Sequence, residues 1–222
     1  MNSKHSAAER QPANRVLQLD GSGDYVRLPS GLFDDLEEAT VEAWVKWQRL
    51  GPFSQPFGFG GMWQVMGVNN GHTTRALTFF IYLQVQELHV ITALDVLQAD
   101  HWYHIAIVSG KGGMKLYLNG VLTGARDFKG SFAAIGNGEQ NLFGGVHWPD
   151  NTSFYGQLAE VRIWSYCRSE KQIRQTLHQG LAGDEADLVG LWNFAAADAR
   201  DSSPNDYDGV LVGNARCGGV LF

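Results

Sequence analysis

The chain has little of what several function classes require. Its 222 residues hold only two cysteines, Cys167 and Cys217, and neither lies in a C-x-x-C pair. Two are too few for a disulfide framework. Free thiols are the expectation, with a single bridge between the segment after Arg-Ile-Trp and the C-terminal tail as the alternative. Basic residues are outnumbered, 17 Lys and Arg against 23 Asp and Glu, for a formal charge of −6. No basic cluster interrupts that balance, which argues against nucleic acid and anionic membrane as partners. No apolar run approaches the roughly eighteen residues of a membrane span, so membrane insertion is not expected. The opening MNSKHSAAERQPANR lacks the apolar stretch of a secretory signal. Residues 1–14 carry no periodic apolar pattern, and a flexible arm is expected there, ahead of one domain over 15–222. Missing too are G-x-S-x-G, H-E-x-x-H and the phosphate-binding G-x-x-x-x-G-K-[ST].

What is there points to β structure. Twenty-seven glycines, twelve phenylalanines and seven tryptophans suit short strands joined by tight turns, because glycine supplies positive φ and aromatics suit half-buried sheets. Period-two alternation recurs in RVLQLD, DYVRLP, TVEAWVKW, ALTFFIYLQV, WYHIAIVS, MKLYLNG, GQLAEVRIW, LVGLWNF and YDGVLVG. In GQLAEVRIW the alternation slips at Ala159-Glu160, as across a bulge. Asn119-Gly120 predicts a hairpin. One segment, RSEKQIRQTLHQG, reads as a helix near residues 169–180, with Ser169 as its cap and Gly180 as its stop. Core candidates are Leu17, Leu19, Val41, Trp44, Ile105, Ile107, Leu116, Leu118, Ile163 and Trp192. Trp47, three residues after Trp44, falls on the opposite face of a straight strand. The fold expected is an all-β, two-sheet antiparallel sandwich.

The segments LQLDGSGDYVRLP, TVEAWVKW, HWYHIAIV, MKLYLNGVLTG, FYGQLAEVRIWSYCRSEKQI and LVGLWNF, the last followed by the acidic turn from Asp201 to Gly209, come in an order that resembles the laminin-G-like jelly rolls of the concanavalin A-like lectin and glucanase superfamily. GEQNLFGG is similar to the pentraxin version of that fold. The resemblance implies two curved sheets, first and last strands adjacent, binding through a concave face or rim loops, and an extracellular setting or a place in a larger exported protein.

Some members of the superfamily are glycoside hydrolases, which need two carboxylates across the scissile bond. The nearest match, Glu185-Ala186-Asp187, lacks the third acid of the E-x-D-x-x-E pattern and falls in a turn, so the chain is not expected to be an enzyme. His101 and His104 face opposite ways on a strand and are poorly placed to share a metal.

Calcium favours loops dense in Asp, Asn and Gly, where six to eight oxygens converge. One expected structural site joins Asp20 and Asp24 to Asp201, Asn205, Asp206 and Asp208, turns that the resemblance brings together at the chain ends. An alternative, carried by the pentraxin likeness alone, joins Asn69 and Asn70 to Glu139, Gln140 and Asn141. Ordinary turn chemistry accounts for the same residues without an ion.

For ligand binding the least explained aromatics are Trp148, in GGVHWPDNTSFYG, and Trp63, after the Gly-rich FSQPFGFGGM. The expected contacts are Trp148, His147, Asp150, Asn151, Trp63 and Phe57, with Phe53 and Phe59 in the same loop. An apolar face beside hydrogen-bonding groups suits a sugar, so a carbohydrate-binding module is expected. A protein-interaction or adhesion module, binding an extracellular or cell-surface protein through the same loops, is the alternative.

Overall fold

The computed structural model describes residues 15–72, 75–136 and 138–219, so the segment 1–14 lies outside the described residues. In chain order the strands are β1 (Val16–Asp20), β2 (Tyr25–Arg27), β3 (Ala39–Trp47), β4 (Phe57–Gly61), β5 (Gln64–Asn70), β6 (Leu77–Gln84), β7 (Glu87–Ala93), β8 (Trp102–Ser109), β9 (Met114–Leu118), β10 (Val121–Arg126), β11 (Leu142–Phe143), β12 (Tyr155–Trp164), β13 (Leu188–Trp192), β14 (Val210–Val212) and β15 (Arg216–Gly218). They form two antiparallel sheets: eight strands ordered β10-β9-β8-β3-β12-β1-β15 with β13 against β12, and seven ordered β14-β2-β11-β4-β5-β6-β7. The order is that of a jelly-roll sandwich. The first and last strands are neighbours, with Val16 opposite Gly218 and Leu17 opposite Cys217.

Alternation places the core. On β3, Val41, Val45 and Trp47 enter the layer between the sheets, joined there by Leu17, Leu19, Ile105, Ile107, Leu116, Ile163 and Trp192. Leu118 is only half-buried at its edge. Trp44 differs from the expectation in side rather than in burial. Period two puts it on the outer face of the eight-stranded sheet, with Val16, Ala159 and Leu177. The slip in β12 is real: its register against β3 shifts between Ala159 and Arg162, and Glu160 takes φ 50°. Asn119 and Gly120, at φ 51° and 75°, make the hairpin turn between β9 and β10, the conformation a type I′ turn needs.

Two short helices occur among the described residues, where one was expected: α1 (Phe132–Ile135) and α2 (Glu170–Thr176). A four-residue turn is too short for helical periodicity to show. Helix α2 begins as read, with Ser169 and Gln172 in a reciprocal capping box, and ends at Thr176, short of Gly180.

The segment around α2 covers the outer face of the eight-stranded sheet through a buried ionic network. Glu42 meets Nη1 of Arg168 with one oxygen and His104 Nε2, at 3.2 Å, with the other. Arg168 also donates to Gln172 O and lies 4.2 Å over the Trp164 ring. Arg162 donates to Glu160, Thr176 O and Gln179 O. Its guanidinium thus satisfies carbonyls left open at the C-terminal end of the helix. Burial by itself would raise the Glu42 carboxyl's pKa, but the His104 hydrogen bond and the charges of His104, Arg168 and Arg162 outweigh it and hold it below its ordinary value.

Candidate functional site

Strand β6 is apolar on both faces. Leu77, Phe79 and Ile81 enter the core, so Thr78, Phe80 and Tyr82 point to the outer face of the seven-stranded sheet. Opposite Phe80 in the register stand Gly67 on β5 and Val90 on β7; opposite Tyr82 stand Val65 and Leu88. Gly67 adds no side chain, and neither does Gly58, its partner on β4. The missing volume makes room for the loop that leads from β11 to β12.

That loop is fastened from below. The Gln55 amide nitrogen occupies the space a Cβ on Gly58 would take, with His147 Cε1 beside it. Gln55 Nε2 donates to His147 Nδ1 at 3.2 Å, and His147 donates from Nε2 to Gln140 O at 2.9 Å. The carbonyl only accepts, so the proton sits on Nε2 and Nδ1 is the acceptor. Burial pushes the His147 pKa down, partly offset by its bonds to Gln140 and Gly60. Gly144 N donates to Pro56 O and Thr152 N to Pro52 O. Between these anchors Trp148-Pro149-Asp150-Asn151 closes a turn through Asn151 N to Trp148 O at 3.1 Å, with proline at the second position, where its fixed φ fits.

The turn lays Trp148, half-buried, on the outward aromatics of β6. Its ring lies 5.4 Å from Tyr82, 6.0 Å from Phe80 and 5.9 Å from Trp63. These are tilted and edge contacts of the kind aromatic rings prefer. Trp148 Nε1 is buried and has no hydrogen-bond partner among the described residues. Together with Phe53, Asn69, Thr78, Leu88, Asp150 and Asn151 these rings line a cleft of about 410 Å³, within the range of small-molecule sites. Phe53 and Trp63 stay 39% and 37% exposed, at φ 50° and 70°. Two aromatic residues are therefore held at the cleft in a conformation L side chains rarely adopt.

The sequence candidates divide. Trp148, Trp63, Asp150 and Asn151 come together in this cleft, and Phe53 with them. Phe57 does not: it and Phe59 belong to β4 and are fully buried in the core. The Gly-rich composition of Phe57–Gly61 concealed a strand whose glycines make room for neighbours. His147 is also buried, 6% exposed, and supports the loop instead of facing the cleft. Phe80, Tyr82, Thr78 and Leu88 were missed, although apolar residues at both parities of ALTFFIYLQV already implied a strand covered on two faces.

The carboxylates and amides of the expected calcium groups organise their own loops. Asp24, buried, accepts from the backbone N–H groups of Asp20 and Gly21, and its burial raises its pKa above the ordinary carboxylate value. Asp20 accepts from Ser22 N and Asn214 Nδ2. Asp201 accepts from Leu191 N, Ser203 N, Ser203 Oγ and Tyr207 N, and Asp208 from Asp201 N. Asn205 donates to Val189 O, and Asp206 is exposed. Of the alternative group, Asn69 lines the aromatic cleft, whereas Glu139 and Gln140 line a separate one with Asp24, Tyr25 and Arg27. Asn70 donates to Gly51 O, and Asn141 to Pro29 O. Among the described residues no three His, Cys, Asp or Glu side chains are grouped to hold a metal.

Both cysteines are free thiols. Burial pushes the pKa of the Cys217 thiol up to about 12, which keeps it protonated. Glu185 of the GDEAD stretch accepts from Ala182 N and Gly183 N, a loop cap.

A family model described as the concanavalin A-like lectin/glucanases superfamily matches residues 20–174. Among curated proteins the chain is similar to mouse (Mus musculus) pappalysin-1, 26% identical over a 189-residue alignment that covers 75% of this chain and 11% of that protein's length. Among solved structures it is similar to a candidate carbohydrate-binding protein of Bacteroides ovatus, 17% identical with a TM-score of 0.70 over 96% of this chain and 61% of the other. A second is the carbohydrate-binding domain of a Ruminococcus gnavus sialidase bound to α2,3-sialyllactose, at 11% identity and TM-score 0.61, covering 72% and 94%. A third is a heptameric pentraxin of Limulus polyphemus, at 14% identity and TM-score 0.64, covering 95% and 97%.

Proposed function

We propose that this chain, which belongs to the concanavalin A-like lectin/glucanase superfamily, is a carbohydrate-binding module without catalytic activity, and that its ligand lies in the aromatic cleft on the seven-stranded sheet. One observation carries the reading: Trp148, Trp63, Phe80 and Tyr82 converge from three separate stretches beside Asp150, Asn151 and Asn69. A sugar ring has one face of C–H groups and an edge of hydroxyls. Rings for the first and carboxylate or amide groups for the second are what such a ligand asks for. The glycan-binding neighbours in this fold support the same reading.

The carboxylate inventory argues for binding over hydrolysis. Glycoside hydrolysis places two carboxyl groups across the scissile bond, and among the described residues Asp150 is the one carboxylate lining the cleft. Glu42 and Glu160 are buried in ion pairs with Arg168 and Arg162. A protein-docking reading has one observation in its favour: Met62 in the β4–β5 turn and Val85 in the β6–β7 turn are apolar side chains left 53% and 63% exposed.

The test is a glycan array probed with the wild-type protein and with Trp148→Ala, beside a pull-down from the native source. Glycan binding that the variant loses supports the module. A protein partner captured through Met62 and Val85, with no glycan retained, supports docking instead.

A further inference from the structure

We infer that the cleft is built for uncharged sugars and rejects glycans that carry a carboxylate or sulfate there. This rests on the carbohydrate-binding reading and adds the ligand's chemical class. Among the described residues, those lining the cleft include no Lys or Arg, and their one formal charge is the negative Asp150. An acidic sugar buries its anion against a paired cation or a set of N–H donors, because an ionised group taken from water without a partner is strongly disfavoured.

Arginines of the neighbouring segments do not line the cleft. Arg126 reaches from β10 to Val90 O at 3.5 Å and is not among the lining residues. Arg75 faces Asp95 at 4.0 Å. The whole chain, at −6, adds to the repulsion an anionic ligand meets. What the cleft does offer is matched to hydroxyls. Asp150 accepts, and Asn69, Asn151 and Thr78 both donate and accept, beside the exposed edges of Trp63 and Phe53. The fold neighbour that holds sialyllactose therefore shares the scaffold, while the charge of this cleft selects a different class.

The experiment presents neutral oligosaccharides alongside the same chains extended by sialic acid, uronic acid or sulfate, and follows the best neutral ligand by calorimetry. Binding is expected to favour the neutral chain by at least about tenfold, and to change by less than about twofold between roughly 50 and 500 mM NaCl, because no charge pair is screened. Asp150→Lys should narrow the preference, and Tyr82→Ala should abolish binding of the neutral ligand. Equal or tighter binding of the acidic chains, weakened by salt, overturns the inference and leaves the carbohydrate-binding reading standing. If no glycan of either kind is retained, that reading fails and the inference falls with it.

Discussion

His147 and Trp148 are neighbours in sequence, with ring centroids 6.2 Å apart, yet one is an anchor and the other a surface. The buried imidazole is bonded at both nitrogens, to Gln55 and Gln140. The indole beside it is half-buried on Tyr82 and Phe80. The peptide between them connects the packing of the seven-stranded sheet to the geometry of the cleft.

Loss of the anchor should be visible in acid. The His147 pKa is lowered in the folded state, so the folded protein binds fewer protons there than the unfolded chain. The stability this contributes is complete above about pH 6.5 and is lost as pH falls toward the folded value. Chemical denaturation from about pH 7.5 to 5.5 should show a steeper loss for wild type than for His147→Gln. Parallel profiles would count against the anchor.

Gly58→Ala should act on the same support from the strand below. A methyl group there competes with the Gln55 amide and the His147 ring, and overpacking of this kind costs about 1–3 kcal/mol. Both stability and ligand affinity should fall together. Retained affinity would mean that the loop does not depend on Gln55.

Trp63→Gly should separate binding from folding. Trp63 is 37% exposed with φ 70°, so glycine relieves the backbone while removing a wall of the cleft. Stability within about 1 kcal/mol of wild type is expected, with affinity reduced at least about tenfold, or about 1.4 kcal/mol. Trp148→Ala should cost more stability than this but less than the about 3–5 kcal/mol of a fully buried tryptophan.

The ionic network beneath α2 should matter for folding alone. Glu42→Ala leaves Arg168 and His104 without their shared carboxylate, and breaking a buried pair costs about 3–5 kcal/mol. Ligand affinity of the folded fraction should not change. Because the Glu42 pKa is depressed on folding, its contribution is present above about pH 4.3 and is lost as pH falls through the folded value.

Calcium offers a separate test of the loops. A calcium ion bridging the N-terminal and C-terminal acidic turns would stabilise the folded chain by mass action, so chelation is expected to lower the melting temperature and excess calcium to restore it. A melting temperature unchanged by chelation would count against an ion at Asp20, Asp24 and their neighbours.

Much of the sandwich was legible because alternation reports which face of a strand is buried, and Leu17, Ile105 and Ile163 each followed it. Trp44 shows the limit. Period two says that Trp44 and Trp47 face opposite ways, but not that Leu177 and His178, just after α2, will bury the outer one as well. The cleft was half legible for a related reason. Trp148 and Trp63 stood out because their sequence surroundings gave them no core to enter. Phe80 and Tyr82 did not, since an aromatic inside an alternating strand looks the same whether its face meets the other sheet or an open cleft. Phe57 misled in the opposite sense, because glycines that clear space for Gln55 and His147 resemble those of a loop. Which loop reaches which strand is set by register across the sheet, and short-range sequence does not carry it.

Whether the aromatic cleft holds the ligand is decided by following all seven tryptophan indole N–H signals by NMR while titrating a neutral oligosaccharide selected by array. The signals of Trp63 and Trp148 are expected to move and saturate together, while those of Trp44, Trp47, Trp102, Trp164 and Trp192 stay in place. Saturable binding that shifts Trp102 or leaves Trp63 and Trp148 unmoved would contradict it.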